Sequence, residues 1–90
     1  MLILITYDLK QPDRDYETLY EAIKQCGDMW WHYMESVWII HTDLTPAQCF
    51  ERLHPNIDAN EYLFLVDITI KPRQGWLPKD AWSWLKQNNN

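Results

Sequence analysis

Four side chains that could bind a metal ion stand at the ends of predicted strands: Asp8, His41, Asp43 and Glu61. We expect the first and third strands to run parallel and the fourth to run antiparallel beside the first, which would gather these groups on one rim of a sheet. Carboxylates and an imidazole there could hold Mg²⁺ or Mn²⁺ and leave positions open for a phosphate and an attacking water. The alternative interpretation is that Asp8 caps a turn and that the other three are ordinary polar strand ends.

The strand that ends at Asp8 organises the rest of the chain. Residues 1–8 form an apolar run rich in β-branched residues, and within it Leu2 to Ile5 leave no position for water on either face. Residues 62–70 are almost as continuous, with Asp67 as the interruption. The pattern therefore predicts two core strands in a sheet that is covered on both faces.

Two amphipathic helices are predicted between the strands. The first begins near Asp13, buries apolar residues at i, i+3, i+4 and i+7, and ends at Gly27 as a left-handed residue. The second begins at a capping box from Thr45 to Gln48, with proline at its first position. Residues 28–42 are predicted to form a hairpin, although its turn lacks an Asn-Gly or Asp-Gly signal and leaves the register open.

This order of elements predicts an α+β fold of the ferredoxin-like βαββαβ type. Such a fold has a four-stranded antiparallel sheet with two helices on one face. We expect the ferredoxin-like domain to span residues 1–74 and a C-terminal tail with a short helix to span residues 75–90 of the same domain. Because two helices cover one face only, the other must be covered by this tail or by a second copy, and we expect a homodimer.

The tail and the last strand carry the residues that we expect at a partner interface. Asp67 interrupts an apolar strand, and Lys71 or Arg73 could pair with it across a dimer. The tryptophans could stack bases, but without interleaved basic residues we favour packing in the core and the interface. The full set of predicted partner-binding residues is Trp76, Trp82, Trp84, Leu85, Asp67 and Arg73.

Charge and composition narrow the function classes. The 90-residue chain has a formal net charge of −5, yet residues 71–90 hold four basic residues against Asp80 alone. That basic tail is either solvated or docked on the acidic body of a partner subunit. Tight non-specific binding of nucleic acid is not favoured by this charge.

Cys26 and Cys49 fall at apolar helix positions without CxxC spacing, which predicts reduced thiols in a cytoplasmic protein. No stretch of the sequence is long and apolar enough to span a membrane.

Several short motifs resemble a known family. They are the apolar strand into Tyr7-Asp8, Gly27, the aromatic strand from Trp30 to Tyr33, Ser36-Val37-Trp38, and the Gly75-Trp76-Leu77 and Asp80-Ala81-Trp82 ending. This succession resembles the small dimeric CRISPR-associated (Cas) protein that is number two of its series, and the related virulence-associated protein D toxins. It is most similar to short bacterial proteins described as SinR-like or hypothetical. In the CRISPR family several arginines usually follow the aspartate, whereas this chain has only Lys10 and Arg14 there.

The resemblance implies a ferredoxin-like homodimer in which Asp8 binds a divalent metal and supports hydrolysis of a phosphodiester. In the same family the fold also serves as a non-catalytic bridge in a complex that inserts DNA. Two functions follow as expectations: a metal-dependent endoribonuclease or other nuclease centred on Asp8, and a non-catalytic dimeric protein-interaction module. Fold alone does not choose between them.

Overall fold

The computed structural model describes residues 1–10 and 16–88. In chain order its elements are β1 (Leu2–Asp8), α1 (Glu17–Gln25), β2 (Met29–Met34), β3 (Val37–His41), α2 (Pro46–Leu53), a 3₁₀ turn (His54–Asn56), β4 (Tyr62–Asp67) and α3 (Lys79–Gln87). The structure confirms an α+β chain with a four-stranded antiparallel sheet and three helices. The predicted helix start at Asp13 lies outside the described residues.

The strands lie in the order β2-β3-β1-β4, and each is antiparallel to its neighbours. The predicted parallel pairing of β1 and β3 was wrong, since Leu2 lies opposite His41 and Thr6 opposite Val37. The reason is geometrical. The β1-α1-β2 connection returns the chain in the direction of β1, and the tight hairpin from β2 to β3 then reverses it.

One face of the sheet packs against α1 and α2. Alternate residues of β1 and β3, among them Ile3, Ile5 and Ile40, meet Leu19 and Ile23 of α1 in a buried cluster. Cys49 and Leu53 of α2 complete it. Burial of each large aliphatic side chain contributes roughly 1.5–3 kcal/mol, so this cluster is the main source of stability.

The opposite face is partly covered by α3. Leu2, Trp31 and Ile39 of the sheet form a second buried cluster with Ala81 and Leu85 of α3. The indole N–H of Trp31 donates a hydrogen bond of 3.2 Å to the Ala81 carbonyl oxygen, which fixes the helix on the sheet. The tail therefore covers part of this face within one chain.

Local signals explain where α2 begins and how closely α1 approaches β3. Thr45 and Gln48 form the predicted reciprocal capping box, with bonds of 3.2 and 2.9 Å. Gly27 does not adopt the predicted left-handed conformation, because no described glycine has a positive φ. Glycine is needed there for another reason: a Cβ atom would collide with the His41 carbonyl oxygen. No helix in residues 1–10 and 16–88 is long and apolar enough to cross a membrane.

Candidate functional site

The antiparallel pairing of β1 and β3 separates the four predicted metal ligands. Asp8 lies opposite Tyr62, so Glu61 shares its end of the sheet. His41 lies opposite Leu2 at the other end, and Asp43 follows it. Leu2 and Asp8 are six residue steps apart along an extended strand, a distance of about 20 Å. The predicted single rim with all four side chains is therefore wrong.

Asp8 is accessible and already has a cationic neighbour. Its side chain is 60% exposed, and Oδ2 lies 2.6 Å from Lys10 Nζ. The Asp8 carboxylate raises the pKa of Lys10 by accepting this hydrogen bond. The ammonium also lies 5.5 Å from the centre of the Tyr62 ring. A shallow cleft of about 220 Å³ runs between β1 and β4 here, lined by Asp8, Thr6 and Phe64 among others.

Glu61 is buried and serves a structural role. Only 5% of the residue is exposed. Its Oε2 accepts hydrogen bonds from the Lys10 backbone N–H at 3.0 Å and from the Tyr16 hydroxyl, while Oε1 accepts one from the Asp58 N–H at 2.7 Å. A buried carboxylate needs such partners. Glu61 thus ties the loop before β4 to the end of β1 and the start of α1.

The positions of Asp8, Glu61, His41 and Asp43 decide whether these side chains can bind one divalent metal ion together. Within residues 1–10 and 16–88, no group of three or more His, Cys, Asp or Glu side chains is arranged to hold a metal ion. Mg²⁺ and Mn²⁺ prefer several oxygen ligands. A single copy of the described chain therefore does not fit a resident Mg²⁺ or Mn²⁺ at Asp8.

At the opposite end of the sheet, His41 contacts Asp28 in the geometry of an ion pair, a contact that the sequence did not predict. Its Nδ1 lies 2.7 Å from Asp28 Oδ1, and this hydrogen bond lowers the pKa of Asp28. The pair borders a polar cleft of about 220 Å³ that Cys26 and Arg52 also line. No short spacing predicts the contact, because it depends on the β2–β3 register, which places Met29 opposite His41.

The two cysteines are buried free thiols, as predicted, in the core between α1 and α2. A hydrogen bond from Cys49 lowers the pKa of Cys26, and the same contact raises the pKa of Cys49. Cys26 carries the thiolate more readily than Cys49, but both sulfur atoms lie inside the fold.

Two predicted partner-binding residues are held by their own loop. Asp67 Oδ1 accepts hydrogen bonds from the Thr69 N–H and hydroxyl at 2.9 and 2.5 Å, which lower the pKa of Asp67. Arg73 donates to the Ile68 and Lys71 carbonyl oxygens at 2.8 and 3.1 Å. Each is therefore oriented within its own chain before any partner is present.

The predicted aromatic tail residues divide into two groups. Leu85 is buried against the sheet, and Trp82 and Trp84 pack partly buried beside it. Trp76 is fully exposed. Trp76 alone among these four residues is thus fully open to a partner in the structure.

An apolar stripe on β4 is the largest departure from the predicted burial. Tyr62, Phe64 and Val66 alternate along the strand and lie on one face, with exposures of 67%, 62% and 36%. We call these three residues the β4 stripe. Its face is the one that carries Leu4, the register partner of Val66, and β4 forms one edge of the sheet. The prediction of burial on both sides of residues 62–67 was wrong in one chain, since α3 packs over β1, β2 and β3 instead.

No protein-family model matches the chain, and no curated protein matches it significantly.

Proposed function

We propose that this chain is a non-catalytic homodimeric interaction module of the ferredoxin-like type, and that two copies associate through the β4 stripe. The element order and the strand order β2-β3-β1-β4 support the ferredoxin-like plan. The observation that carries the proposal is the exposure of Tyr62 and Phe64 side by side on an edge strand. Contiguous exposed apolar surface of this kind marks interaction sites in soluble domains.

A second copy is the occupant that the stripe fits best. A two-fold contact places the same patch on both subunits, so an aromatic stripe meets an aromatic stripe and each ring buries apolar area. The outer backbone edge of β4 adds hydrogen-bonding groups that a second β4 strand can pair. Stable interfaces bury about 800 Å² per partner, more than three side chains supply. We assign the remainder to Ile70 and Trp76, which follow β4 and are also exposed.

Light scattering on three forms of the chain tests the proposal. At micromolar concentration the wild type should have the mass of two chains, and Phe64→Glu should have the mass of one. Phe50→Glu is the matched control because Phe50 is also partly exposed but lies on α2, which packs on the opposite face of the sheet from the β4 stripe. A single-chain mass for the wild type contradicts the proposal, as does a dimer that survives Phe64→Glu.

A metal-dependent endoribonuclease or DNase centred on Asp8 is the second candidate. One observation favours it: Asp8 lies directly opposite Tyr62, at the end of the β4 stripe. A two-fold axis near Tyr62 would bring two exposed Asp8 carboxylates together, whereas an axis through the middle of β4 would place them at opposite ends. The net charge of −5 opposes binding of a phosphate backbone.

Incubation with single-stranded RNA or duplex DNA and Mg²⁺ or Mn²⁺ separates the two candidates. Cleavage that is lost in Asp8→Asn and kept in Asp43→Asn supports the nuclease, since Asp43 lies at the far end of the sheet. No cleavage by a wild-type dimer supports the non-catalytic module. Cleavage that survives Asp8→Asn removes the Asp8 mechanism.

A further inference from the structure

An apolar groove lies between the sheet and the chain segment that follows β4. Its volume is about 400 Å³, within the range of sites that hold small organic ligands. Leu4 and Ile39 of the sheet form its floor, and Trp82 and Leu85 of α3 contribute one wall. The segment from Ile68 to Leu77 supplies the remaining side. None of the three β4 stripe residues lines this groove, although Trp76, which we assign to the dimer interface, does.

The charge at the groove is opposite to that of the chain. The described residues that line it include Lys71 and Arg73 and no Asp or Glu, although the chain as a whole carries −5. Arg73 is held in place by its hydrogen bonds to the Ile68 and Lys71 carbonyl oxygens. Asp67 interacts electrostatically with Lys71 but does not line the groove, and its carboxylate accepts hydrogen bonds from Thr69. A cationic rim around an apolar pocket favours an anionic ligand with an apolar body.

We propose that this groove binds a small amphiphile that has an apolar body and one carboxylate. The apolar body lies along Leu4, Ile39 and Leu85, where its burial is driven by the hydrophobic effect. The carboxylate lies at the rim, where Lys71 and Arg73 provide the positive charge. A planar guanidinium suits a carboxylate better than a point charge does, and it remains protonated at any ordinary pH.

Decanoate is the probe, used below the concentration at which it forms micelles. Isothermal titration calorimetry should show saturable binding of one decanoate per chain. Decyltrimethylammonium has the same chain and the opposite charge, and decanol has no charge, so both should bind at least tenfold more weakly. Equal binding of all three, or unsaturable partition of decanoate, overturns the proposal.

Variants identify the groove as the site. Arg73→Gln should weaken decanoate about tenfold, the loss that accompanies one charge-assisted hydrogen bond. Lys79→Gln removes one positive charge from α3 outside the groove and should change the affinity less than twofold. Val37→Phe adds bulk inside the groove and should abolish binding.

Because Arg73 also orders its loop, Lys71→Gln is the second charge variant, and near-ultraviolet circular dichroism verifies that each variant is folded. Decanoate affinity unchanged in folded Val37→Phe, or equal in Arg73→Gln, Lys71→Gln and Lys79→Gln, contradicts the assignment. Dimer mass in the same samples reports separately on the β4 stripe.

Discussion

Trp38 donates a hydrogen bond of 3.0 Å from its indole N–H to the hydroxyl oxygen of Tyr7, across neighbouring strands in the buried core. The Tyr7 hydroxyl in turn donates to the Glu35 carbonyl oxygen at 3.1 Å. These two bonds attach Tyr7, the residue immediately before Asp8, to β3 and to the β2–β3 turn, and so hold the end of β1 in place.

Tyr7→Phe should destabilise the fold by about 1–3 kcal/mol, because the Trp38 N–H loses its acceptor inside the core. Urea denaturation measures the change. Tyr33→Phe is the matched control, since Tyr33 is 44% exposed and the loss of its hydroxyl should cost less than about 0.5 kcal/mol. Equal stability of the two variants would show that the hydrogen bonds of the Tyr7 hydroxyl do not stabilise the fold.

The same tyrosine predicts an alkaline limit to stability. Burial raises the pKa of Tyr7 from its ordinary value near 10 to about 12. The neutral phenol is therefore favoured by folding: its contribution is complete below about pH 10 and is lost as the pH rises towards 12. The free energy of unfolding should fall across this window in the wild type and fall less steeply in Tyr7→Phe. Parallel pH profiles for the two proteins would contradict the assignment.

Glu61→Ala should destabilise the chain by about 3 kcal/mol, because it leaves the Lys10 and Asp58 N–H groups and the Tyr16 hydroxyl without their acceptor. Glu51→Ala is the control, since Glu51 is exposed on α2. Thermal unfolding measures both. If Glu61 were instead a solvated strand end, the two substitutions would have the same small effect.

Trp31→Phe should loosen α3 from the sheet, since it removes the hydrogen bond to the Ala81 carbonyl oxygen and part of the buried ring. We expect a cost of about 2 kcal/mol. Relative to the wild type, amide hydrogen exchange in Trp31→Phe should become faster in residues 79–87, with a smaller increase in β1. Trp76→Phe should change neither region, because Trp76 is fully exposed. Equal protection of residues 79–87 in both variants would mean that other contacts hold α3.

The Asp28–His41 pair predicts a change in acid titration. His41→Ala should raise the pKa of Asp28 towards its ordinary value, because the hydrogen bond from His41 is the largest cause of its lowering. Carboxyl carbon NMR measures this pKa, and Asp67, whose pKa is lowered by Thr69, should not respond. The pair stabilises the fold above the unfolded pKa of Asp28, near 4, and this contribution is lost as the pH falls through the folded value. An unchanged Asp28 pKa would contradict the contact.

Local signals predicted the elements well, apart from the conformation of Gly27, and long-range geometry was the source of the larger errors. The Thr45–Gln48 capping box predicted α2 because all of its bonds lie within one turn. The direction of β3 relative to β1 depends on a helical crossover and a hairpin together, and the error there moved His41 and Asp43 to the wrong end of the sheet.

The burial of Glu61 and the exposure of Phe64 could not be predicted for a related reason. An apolar run shows that a strand can be buried, but not which of its faces another element reaches. In this fold α3 reaches Leu2 and Ile39 and leaves Phe64 open. Glu61 stands next to that strand, and only tertiary contacts with Lys10 and Tyr16 distinguish it from a solvated carboxylate.

The position of α3 divides one face of the sheet into a part that is covered by the same chain and a part that is exposed. Over Trp31 and Ile39 the cover is tethered to β4 by residues 68–78 of the same polypeptide, so it persists however far the protein is diluted. Over Tyr62 and Phe64 no element of the described residues packs, and in the proposed dimer the cover is a second molecule whose occupancy is governed by mass action. In the proposed dimer, one surface therefore combines a contact that is independent of concentration with one that varies with it.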